Sequence, residues 1–483
     1  MKHKSSDKKK YSAKTTTIAI VSVVSLTFLT SACGTSSSAN QLSHGPIHFS
    51  WTAAKGQTIN VLFDEHPYAN AIIQQLPAFE KKTGITVHYQ VVPESSYFTK
   101  LSLALAPRNG KVDVFMNGTY QMWSYATAGY LQDLSTLLTK KNWTSATYDV
   151  GDFIKPVLNA DRWNLKVGSP AGTGPIWQLP MAWEEYPITY NKTAFRKAGI
   201  TKIPTTLPEL AADAKKLEGW NGPGSYGIAV RGSRSWATIH PDYMSLLTAY
   251  GGGDFKVSHG HLVSTVDSPA AIQMTRIWIK MVKQAGPPGW LSQTWYNNQT
   301  DLGNQKAAMM YDADIIGYWD DVKGADPAAG HLGWFLPPKG PTGKMNSNLW
   351  VWSLAMNKYS THKLASWLFL QWATGKQHDL WGALHKGELV NPARNSVWNN
   401  PQFVKQMKAT HPGYYSVFKE LTPHTKLDFT PEPDFFTMAT QWAAELQNIE
   451  TGKIGVKAGL TQLAQRIDQE VRSVPVTGTG LKN

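Results

Sequence analysis

The sequence predicts an α/β protein with two lobes, and three observations support this. Residues 58–63 and 85–92 have the apolar patterns of strands, and the segment between them has a helical pattern that stops at Gly84. A strand, a helix and a strand in this order indicate a right-handed crossover unit. About 450 residues follow a predicted leader, more than one hydrophobic core normally serves. The single cysteine, Cys33, excludes an intramolecular disulfide, so a large core must replace covalent links.

The later segments continue the alternation of helices and strands. The patterns predict a helix over 97–106, strands over 112–116 and 186–190, and helices over 207–217, 268–284, 362–374, 435–451 and 455–471. The helix at 207 has a capping signal, because Thr206 precedes Pro208 and Glu209. The helix at 268 starts at the cap Ser268 and stops at the Gly-Pro-Pro-Gly run of 286–289.

The N-terminal segment has the features of a bacterial secretory leader. Six lysines and one acid precede an apolar run over 18–29, which is too short to span a bilayer as a helix. Small residues before Cys33 resemble the lipobox, in which the thiol receives a diacylglyceryl group. The resemblance is incomplete, because Thr30 stands where the motif usually has leucine.

We therefore expect a signal peptide over 1–32 and lipidation of Cys33. The alternative is ordinary cleavage near Ala32, which leaves a free thiol. Residues 33–57 are rich in Ser, Gly, Ala and Asn and are expected to form a flexible tether.

The charge of the chain is positive and dispersed. The formal net charge is +13, of which the leader accounts for +5, so +8 remains on the rest. No block of five or more basic residues follows Lys14, which argues against a nucleic-acid-binding stripe. The low acid content suits an acidic exterior, where few carboxylates would lose their charge.

Motifs of common enzymes and cofactor sites are missing from the sequence. It contains no His-Glu-x-x-His zinc helix, no Walker phosphate loop, no Gly-x-Ser-x-Gly elbow and no G-x-G-x-x-G turn. His259 and His261 lack an identifiable third metal ligand, so a loop is the better interpretation. The sequence therefore predicts a protein without catalytic residues, cofactor or metal.

Short phrases spread over most of the chain match one protein family in order and spacing. In chain order they are PAFEKKTGITV (77–87), DVF (113–115), AGYLQDL (128–134), LP (179–180), YNK (190–192), FRKAGI (195–200), PTTLPEL (204–210), YGIA (226–229), YGG (250–252), KAAM (306–309) and NPAR (391–394). The set resembles the carbohydrate-type extracellular solute-binding proteins of bacterial ABC importers, which include maltose-binding protein. One departure is 304–306, where the family usually has a phenylalanine and a Gly-Lys pair.

This resemblance implies a periplasmic-binding-protein-like fold, in which two lobes, each a sheet flanked by helices, are joined by a hinge. The chain is expected to cross the hinge near Trp183, Lys306 and Tyr359, and ligand bound between the lobes would stabilise their closure. The implied divisions are lobe 1 over 58–182 and 307–358, lobe 2 over 183–306 and 359–474, and a tail over 475–483.

Candidate ligand contacts in the first lobe are polar or aromatic side chains near strand ends. His66, Asn117 and Tyr120 follow strands at the carboxyl edge, where open α/β sheets place their ligands. For His66 the alternative is a solvated loop residue, and for Tyr120 it is core packing. Where the chain enters the hinge, the resemblance implies Glu184 as an acceptor for a ligand hydroxyl, and its neighbour Trp183 is a candidate stacking platform. Glu184 and Glu185 are strand neighbours that point to opposite faces, so they do not form a glycosidase pair.

The other candidates come from the later part of the chain. They are Trp236, Tyr243, Asp312, Asp314, Trp350 and Arg394. Asp312 and Asp314 precede a helix, so helix capping and hydroxyl binding both remain open for them. For Arg394 the alternative to ligand binding is a role as an ion-pair partner at the hinge or the surface.

The sequence as a whole predicts a lipid-anchored, monomeric protein on the outer face of the cell membrane that delivers a carbohydrate or polyol to an ABC permease. Such ligands present hydroxyl edges and flat C–H faces, which suit hydrogen-bonding groups and aromatic rings. The chain has 20 tryptophans, of which we expect four or five in the cleft. The alternatives are a binder of an anion or metal chelate, a secreted glycoside-acting enzyme and a passive adhesin.

Overall fold

The computed structural model describes residues 48–385, 391–411 and 413–481. These residues belong to one compact unit. The predicted signal peptide, Cys33 and most of the predicted tether lie outside them. No helix within the described residues is long and apolar enough to cross a membrane.

Helices and strands alternate through most of the chain. The strands are β1 (Thr58–Asp64), β2 (Thr86–Val92), β3 (Val114–Gly118), β4 (Gln178–Glu184), β5 (Ile188–Asn191), β6 (Tyr226–Ala229), β7 (Phe255–Ser258), β8 (His261–Ser264), β9 (Ala307–Tyr311), β10 (Leu332–Phe335), β11 (Ser347–Asn348), β12 (Trp350–Met356) and β13 (Thr425–Lys426). The α-helices are α1 (Pro67–Thr83), α2 (Glu94–Leu105), α3 (Thr119–Thr127), α4 (Ser135–Leu138), α5 (Lys155–Ala160), α6 (Lys192–Lys197), α7 (Leu207–Lys216), α8 (Asp242–Ala249), α9 (Pro269–Ala285), α10 (Trp295–Gly303), α11 (Asp314–Asp320), α12 (Lys363–Ala373), α13 (Lys376–Leu384), α14 (Asn395–Trp398), α15 (Pro401–Thr410), α16 (Tyr414–Leu421), α17 (Phe435–Glu450) and α18 (Val456–Val471). The predicted strands and helices are confirmed within a few residues of their expected ends.

The first sheet contains β2, β1, β3, β12 and β4 in that order. β1 pairs in parallel with β2 and β3, which confirms the crossover unit. β12 runs antiparallel to both β3 and β4, so a segment from late in the chain completes the sheet. At one end of this pairing Glu184 lies opposite Trp350.

The second sheet contains β10, β5, β9 and β6. β9 pairs in parallel with β6 and antiparallel with β5, while β10 pairs with β5. The expected return to the first lobe near Lys306 is therefore wrong for β9 and β10. The chain rejoins the first sheet only at β12, because the backbone hydrogen bonds of β9 are satisfied within the second sheet.

The helices of the C-terminal third pack on both sides of the molecule. Phe369 of α12 lies edge-on against Phe79 of α1, with ring centroids 5.3 Å apart, whereas α17 and α18 contact α9. The assignment of 359–474 wholly to the second lobe is thus wrong for α12. The other lobe boundaries stay predictions.

The predicted helix ends have the expected local chemistry. The α1 helix begins at Pro67 after the cap His66 and ends at Gly84, whose φ of 69° is costly for residues with a Cβ atom. The α7 helix begins with a complete capping box of Thr206 and Glu209. These caps fix where each helix starts relative to the strand before it.

Residues 48–57 pack against the folded unit, although the sequence predicts them to be part of the flexible tether. Ala54 is buried, and the Lys82 ammonium lies 4.1 Å from the centre of the Trp51 ring. The Gly56 N–H donates to the Gly84 carbonyl at 2.8 Å. The tether assignment is wrong for this part, because these contacts order it.

Arg394 connects three segments of the first-sheet side and is fully buried. Its guanidinium donates to the carbonyls of Tyr148, Asp149 and Thr374 at 2.6 to 3.1 Å. It also lies 3.6 Å from the centre of the Phe153 ring. The structure therefore uses Arg394 as a link between backbone segments and does not bring it to a ligand cavity.

We expect Arg394→Ala to lower the free energy of unfolding by about 3 to 5 kcal/mol, because it leaves buried carbonyls without donors. Arg394→Lys should cost less but remain destabilising, since an ammonium cannot reproduce the planar fork. Urea denaturation followed by circular dichroism measures both. The matched control is Arg276→Ala on the exposed face of α9, which should change stability by less than about 0.5 kcal/mol. A loss below about 1 kcal/mol for Arg394→Ala would contradict the linking role.

Candidate ligand-binding site

A partly open cavity lies between the two sheets, and tryptophans are the most frequent residues in its wall. Its empty volume, including the part open to solvent, is about 360 Å³. The lining residues from the first-sheet side are His66, Glu94, Glu184, Trp350 and Trp352. Those from the second-sheet side are Arg231, Trp236, Ala237, His240, Trp295, Ala313, Ile315, Ile316 and Trp319. Five of the 20 tryptophans thus line the cavity, against an expectation of four or five.

The wall of the first sheet follows from the two-residue period of strands. Trp350 and Trp352 share one face of β12, and Glu184 lies opposite Trp350 on the neighbouring β4. The Trp352 indole N–H donates to Glu184 Oε1 at 3.1 Å. The other carboxyl oxygen of Glu184 has no hydrogen-bond partner among the described residues.

His66 presents a neutral donor from the start of α1. Its Nδ1 accepts from the Tyr68 backbone N–H at 3.3 Å, so the neutral ring carries its proton on Nε2. Burial lowers the pKa of the His66 imidazole from 6.5 to about 3, which keeps the ring neutral at physiological pH. The Nε2–H group is then available to an acceptor in the cavity.

Arg231 is held on the opposite wall by a buried ion pair. Nε and Nη2 donate to Asp312 at 2.6 to 3.0 Å, and Nη1 donates to the Ala237 carbonyl and to His240 Nε2, each at 3.0 Å. Four of the five guanidinium N–H groups are thereby used. The fifth, on Nη2, has no partner within the described part of the chain, and the side chain lines the cavity.

His240 orients its neighbours and has no spare hydrogen-bonding group. Because Arg231 donates to Nε2, the ring proton lies on Nδ1, which donates to the Tyr186 hydroxyl at 2.9 Å. Burial and then the adjacent Arg231 charge hold the pKa of His240 well below its usual range. The Trp236 ring lies nearly parallel to it, with centroids 5.8 Å apart.

The cavity carries little net charge. Burial raises the pKa of Glu184 well above its usual range, although Arg231 acts in the opposite direction. Burial likewise raises the pKa of Glu94, opposed by Arg231 and by a hydrogen bond from Trp295. Burial disfavours the charge of Arg231, but the ion pair with Asp312 outweighs it and keeps the pKa above the ordinary value. The site is thus suited to a neutral polar ligand.

A wider groove adjoins the cavity. Its empty volume, including the part open to solvent, is about 1640 Å³. The two spaces meet at residues that line both of them, namely Glu94, Arg231, Trp236, Ala237 and Trp295. The groove is otherwise rich in serine and threonine side chains, namely Ser95, Thr99, Ser102, Ser124, Ser233, Ser235, Thr294 and Thr440.

The structure brings four of the residues proposed from the sequence to the cavity wall. They are His66, Glu184, Trp236 and Trp350. Asp312 lies directly behind the wall, where it also accepts from the Asn298 side-chain amide at 2.7 Å. The contact of these residues with ligand stays a prediction.

Trp183 and Tyr120 lie behind the cavity wall. As a neighbour of Glu184 on β4, Trp183 points to the opposite face and packs against Phe418, with ring centroids 5.0 Å apart. The Tyr120 ring is 5.0 Å from the Trp350 ring, so it supports that indole from behind. Neither side chain belongs to the lining.

Asn117 takes part in a buried network on the other face of the first sheet. It donates to Gln178 Oε1 at 2.7 Å, and Gln178 Nε2 donates to Asp161 Oδ1 at 2.6 Å. The Ser353 hydroxyl donates to the other oxygen of Asp161 at 2.6 Å. The structure therefore does not bring Asn117 to the cavity.

Tyr243 and Asp314 are also used for internal packing. The Tyr243 hydroxyl lies 2.6 Å from the Thr275 hydroxyl inside the core. Asp314 is the first residue of α11 and accepts from the Asn391 side chain at 2.7 Å. Neither they nor Arg394 line the cavity.

Sequence reasoning missed several lining residues, namely Glu94, Arg231, His240, Trp295, Trp319 and Trp352. Two of them had a usable signal. Trp352 follows Trp350 by two residues in a strand pattern, and Arg231 follows the carboxyl end of β6. Glu94 and Trp295 stand at helix starts with no ligand-binding signature, and only the packing of the two sides brings them together.

Comparison with known proteins identifies relatives over nearly the whole chain. The profile of the bacterial extracellular solute-binding proteins matches residues 56–379. The erythritol/L-threitol-binding protein of Mycolicibacterium smegmatis is 39% identical over 438 residues, covering 90% of this chain and 91% of the relative. The mannitol-binding protein of Pseudomonas aeruginosa is 24% identical over 412 residues, with 81% of this chain and 88% of the relative covered.

Solved structures share the fold. A solute-binding protein of Agrobacterium vitis with bound D-mannitol matches with a TM-score of 0.74 at 21% identity, over 87% of this chain and 100% of that chain. One from Agrobacterium radiobacter in complex with ribitol matches with a TM-score of 0.71 at 18% identity, over 86% and 99%. These likenesses confirm the predicted two-lobed, periplasmic-binding-protein-like α/β fold.

The network around Asp161 predicts a pH dependence of stability. Burial raises the pKa of Asp161 from 3.8 to about 8, so the folded state binds one more proton than the unfolded state between these values. This contribution to stability is present at low pH and is lost as the pH rises. Asp161→Asn mimics the neutral acid, so its stability does not depend on this titration. The free energy of unfolding of Asp161→Asn relative to that of the wild type should therefore rise by about 1 kcal/mol per pH unit between pH 5 and 7.

Urea denaturation of both proteins at pH 5, 6 and 7 measures this difference. Histidine titration cancels, because both proteins contain the same histidines. The control Asp267→Asn, at a partly exposed position, should leave the pH dependence unchanged. A stability difference between Asp161→Asn and the wild type that does not vary with pH would contradict the assignment.

Proposed function

Because the chain belongs to the bacterial extracellular solute-binding proteins, we propose that it captures a short acyclic polyol outside the cytoplasm and delivers it to an ABC importer. The observation that carries this proposal is the cavity between the two sheets, which has indole rings and polar groups on both sides. Its empty volume of about 360 Å³ lies near the lower end of the range of ligand pockets, which suits a small molecule.

The polar groups of the cavity complement neutral hydroxyls. The second carboxyl oxygen of Glu184 hydrogen-bonds a ligand hydroxyl, while the fifth N–H of Arg231 and the Nε2–H of His66 donate to hydroxyl oxygens. The indole rings cover the C–H faces of the carbon chain. A polyol offers a donor and an acceptor at every carbon, so it satisfies both kinds of group at once.

The relatives support a polyol ligand. The erythritol/L-threitol-binding protein has 39% identity to this chain and is covered almost end to end. Erythritol and threitol are four-carbon alditols, and their size agrees with the small cavity. We infer that a four-carbon alditol is the ligand of this chain.

The alternatives fit the site less well. An anion would need unpaired positive charge, but Asp312 already neutralises Arg231 at 2.6 Å. A metal chelate would need convergent positive groups in place of the stacking aromatics, and Arg231 is the single Lys or Arg side chain among the lining residues. The related proteins bind solutes, in agreement with the prediction that the chain is not an enzyme.

Closure and attachment complete the proposal. Ligand that contacts Glu184 on one side and Arg231 on the other stabilises the closed arrangement of the two sides, which a permease then recognises. The protein acts as a monomer, and a diacylglyceryl group on Cys33 holds it at the outer face of the cell membrane. The lipobox-like residues before Cys33 support this attachment.

We expect the purified protein to bind erythritol or L-threitol and Glu184→Ala to weaken that binding about 10- to 100-fold, because a hydroxyl loses a buried hydrogen-bond partner. Isothermal titration calorimetry measures the dissociation constants. The matched control is Glu420→Ala, at an exposed position of α16, which should bind like the wild type. An unchanged dissociation constant for Glu184→Ala would reject the role of Glu184, and no heat with any alditol would reject the proposed function.

Lipidation of Cys33 is tested separately. Expressed in a bacterium with lipoprotein processing, the wild type should partition into the detergent phase of Triton X-114, because an acylated N-terminus is strongly apolar. Cys33→Ser should partition into the aqueous phase. A wild-type protein found in the aqueous phase would favour ordinary cleavage near Ala32.

A further inference from the structure

A hydrogen bond joins the two sides of the molecule where the cavity meets the groove. The Trp295 indole N–H donates to Glu94 Oε2 at 3.0 Å. Glu94 is the first residue of α2, which contacts β1 of the first sheet, whereas Trp295 is the first residue of α10, which contacts β6 and β9 of the second sheet. The bond therefore spans the gap that separates the sheets.

The position of the Trp295 ring is fixed by its surroundings. Thr294 caps α10 and forms a capping box with Asn297, so the helix start is well defined. The Trp295 ring stacks on Tyr296 with centroids 3.7 Å apart, and its other neighbour is His66 at 6.1 Å. The indole thus lies in a defined position where the inner cavity meets the outer groove.

We propose that Trp295, held by Glu94, closes the outer end of the cavity and sets the maximum length of the polyol chain. This inference rests on the proposed function and names the residue that determines specificity at the same site. The cavity on the inner side of Trp295 is much smaller than the groove on the outer side. A longer alditol has to cross the plane of the indole to place its additional carbons.

The outer groove is chemically able to accept those carbons once the indole is removed. Its hydroxyl side chains include Ser95, Thr99 and Ser235, and Phe98 supplies an aromatic surface. Removal of the indole therefore joins the cavity to a space that suits further hydroxyls. A residue that acted only as a general ligand contact would instead weaken alditols of every length equally.

The test compares alditols of four, five and six carbons, namely erythritol, ribitol and mannitol, by isothermal titration calorimetry with the wild-type protein and Trp295→Ala. The readout is the ratio of the dissociation constant for mannitol to that for erythritol. We expect this ratio to fall at least fivefold in Trp295→Ala, with ribitol between the two. If Trp295→Ala does not fold, Trp295→Leu is measured instead, because it retains an apolar side chain at the start of α10. The same fivefold fall in the ratio is expected for it.

The matched control is Trp220→Ala. The Trp220 indole N–H also donates to an oxygen, the Lys306 carbonyl at 3.3 Å, but this tryptophan lines neither the cavity nor the groove. The ratio of the mannitol to the erythritol dissociation constant should be the same for Trp220→Ala as for the wild type. A fall of less than fivefold in the folded Trp295 variant overturns the length limit and leaves the proposed function intact. A wild-type protein that binds none of the three alditols overturns both.

Discussion

The buried ion pair of Arg231 and Asp312 governs the chemistry of the cavity. An unpaired guanidinium in this environment would cost several kcal/mol, and the carboxylate removes that cost while its two oxygens fix the plane of the fork. Asp312 is itself held by the Ala313 N–H at 2.7 Å and by Asn298. The fork then determines the tautomer of His240 and leaves one N–H group for a ligand. The remaining polar groups of the site are arranged around this single fixed charge.

Two carboxyl groups face that charge, and each is positioned by an indole. Trp352 donates to Glu184 within the first sheet, and Trp295 donates to Glu94 across the gap. A buried indole N–H needs an acceptor, and a buried carboxyl group needs donors, so each pair satisfies two requirements at once. The tryptophans of this chain therefore do more than offer flat surfaces to a ligand. They decide which carboxyl oxygens remain available to it.

The same arrangement relates ligand size to closure. The cavity is complete only when residues of both sheets are brought together, and most of its polar capacity is already used by internal hydrogen bonds. A ligand gains affinity by matching the few remaining groups on both walls, since every buried group left unmatched is costly. Under the proposed function, a small neutral molecule with regularly spaced hydroxyls would meet this condition, and its contacts with both sides would stabilise the closed arrangement.

The sequence by itself determined the α/β class, the helix ends at Gly84 and Thr206, and the candidates Glu184 and Trp350, because these depend on local periodicity, caps and strand ends. It could not decide that β9 and β10 belong to the second sheet, since strand pairing between distant segments leaves no local mark. Burial of Arg394 and Asn117 was likewise hidden, because a polar residue type indicates hydrogen bonding but not its partner. Only the tertiary structure selected Glu94, Arg231 and Trp295 for the cavity, since these residues become neighbours only when the two sides of the molecule come together.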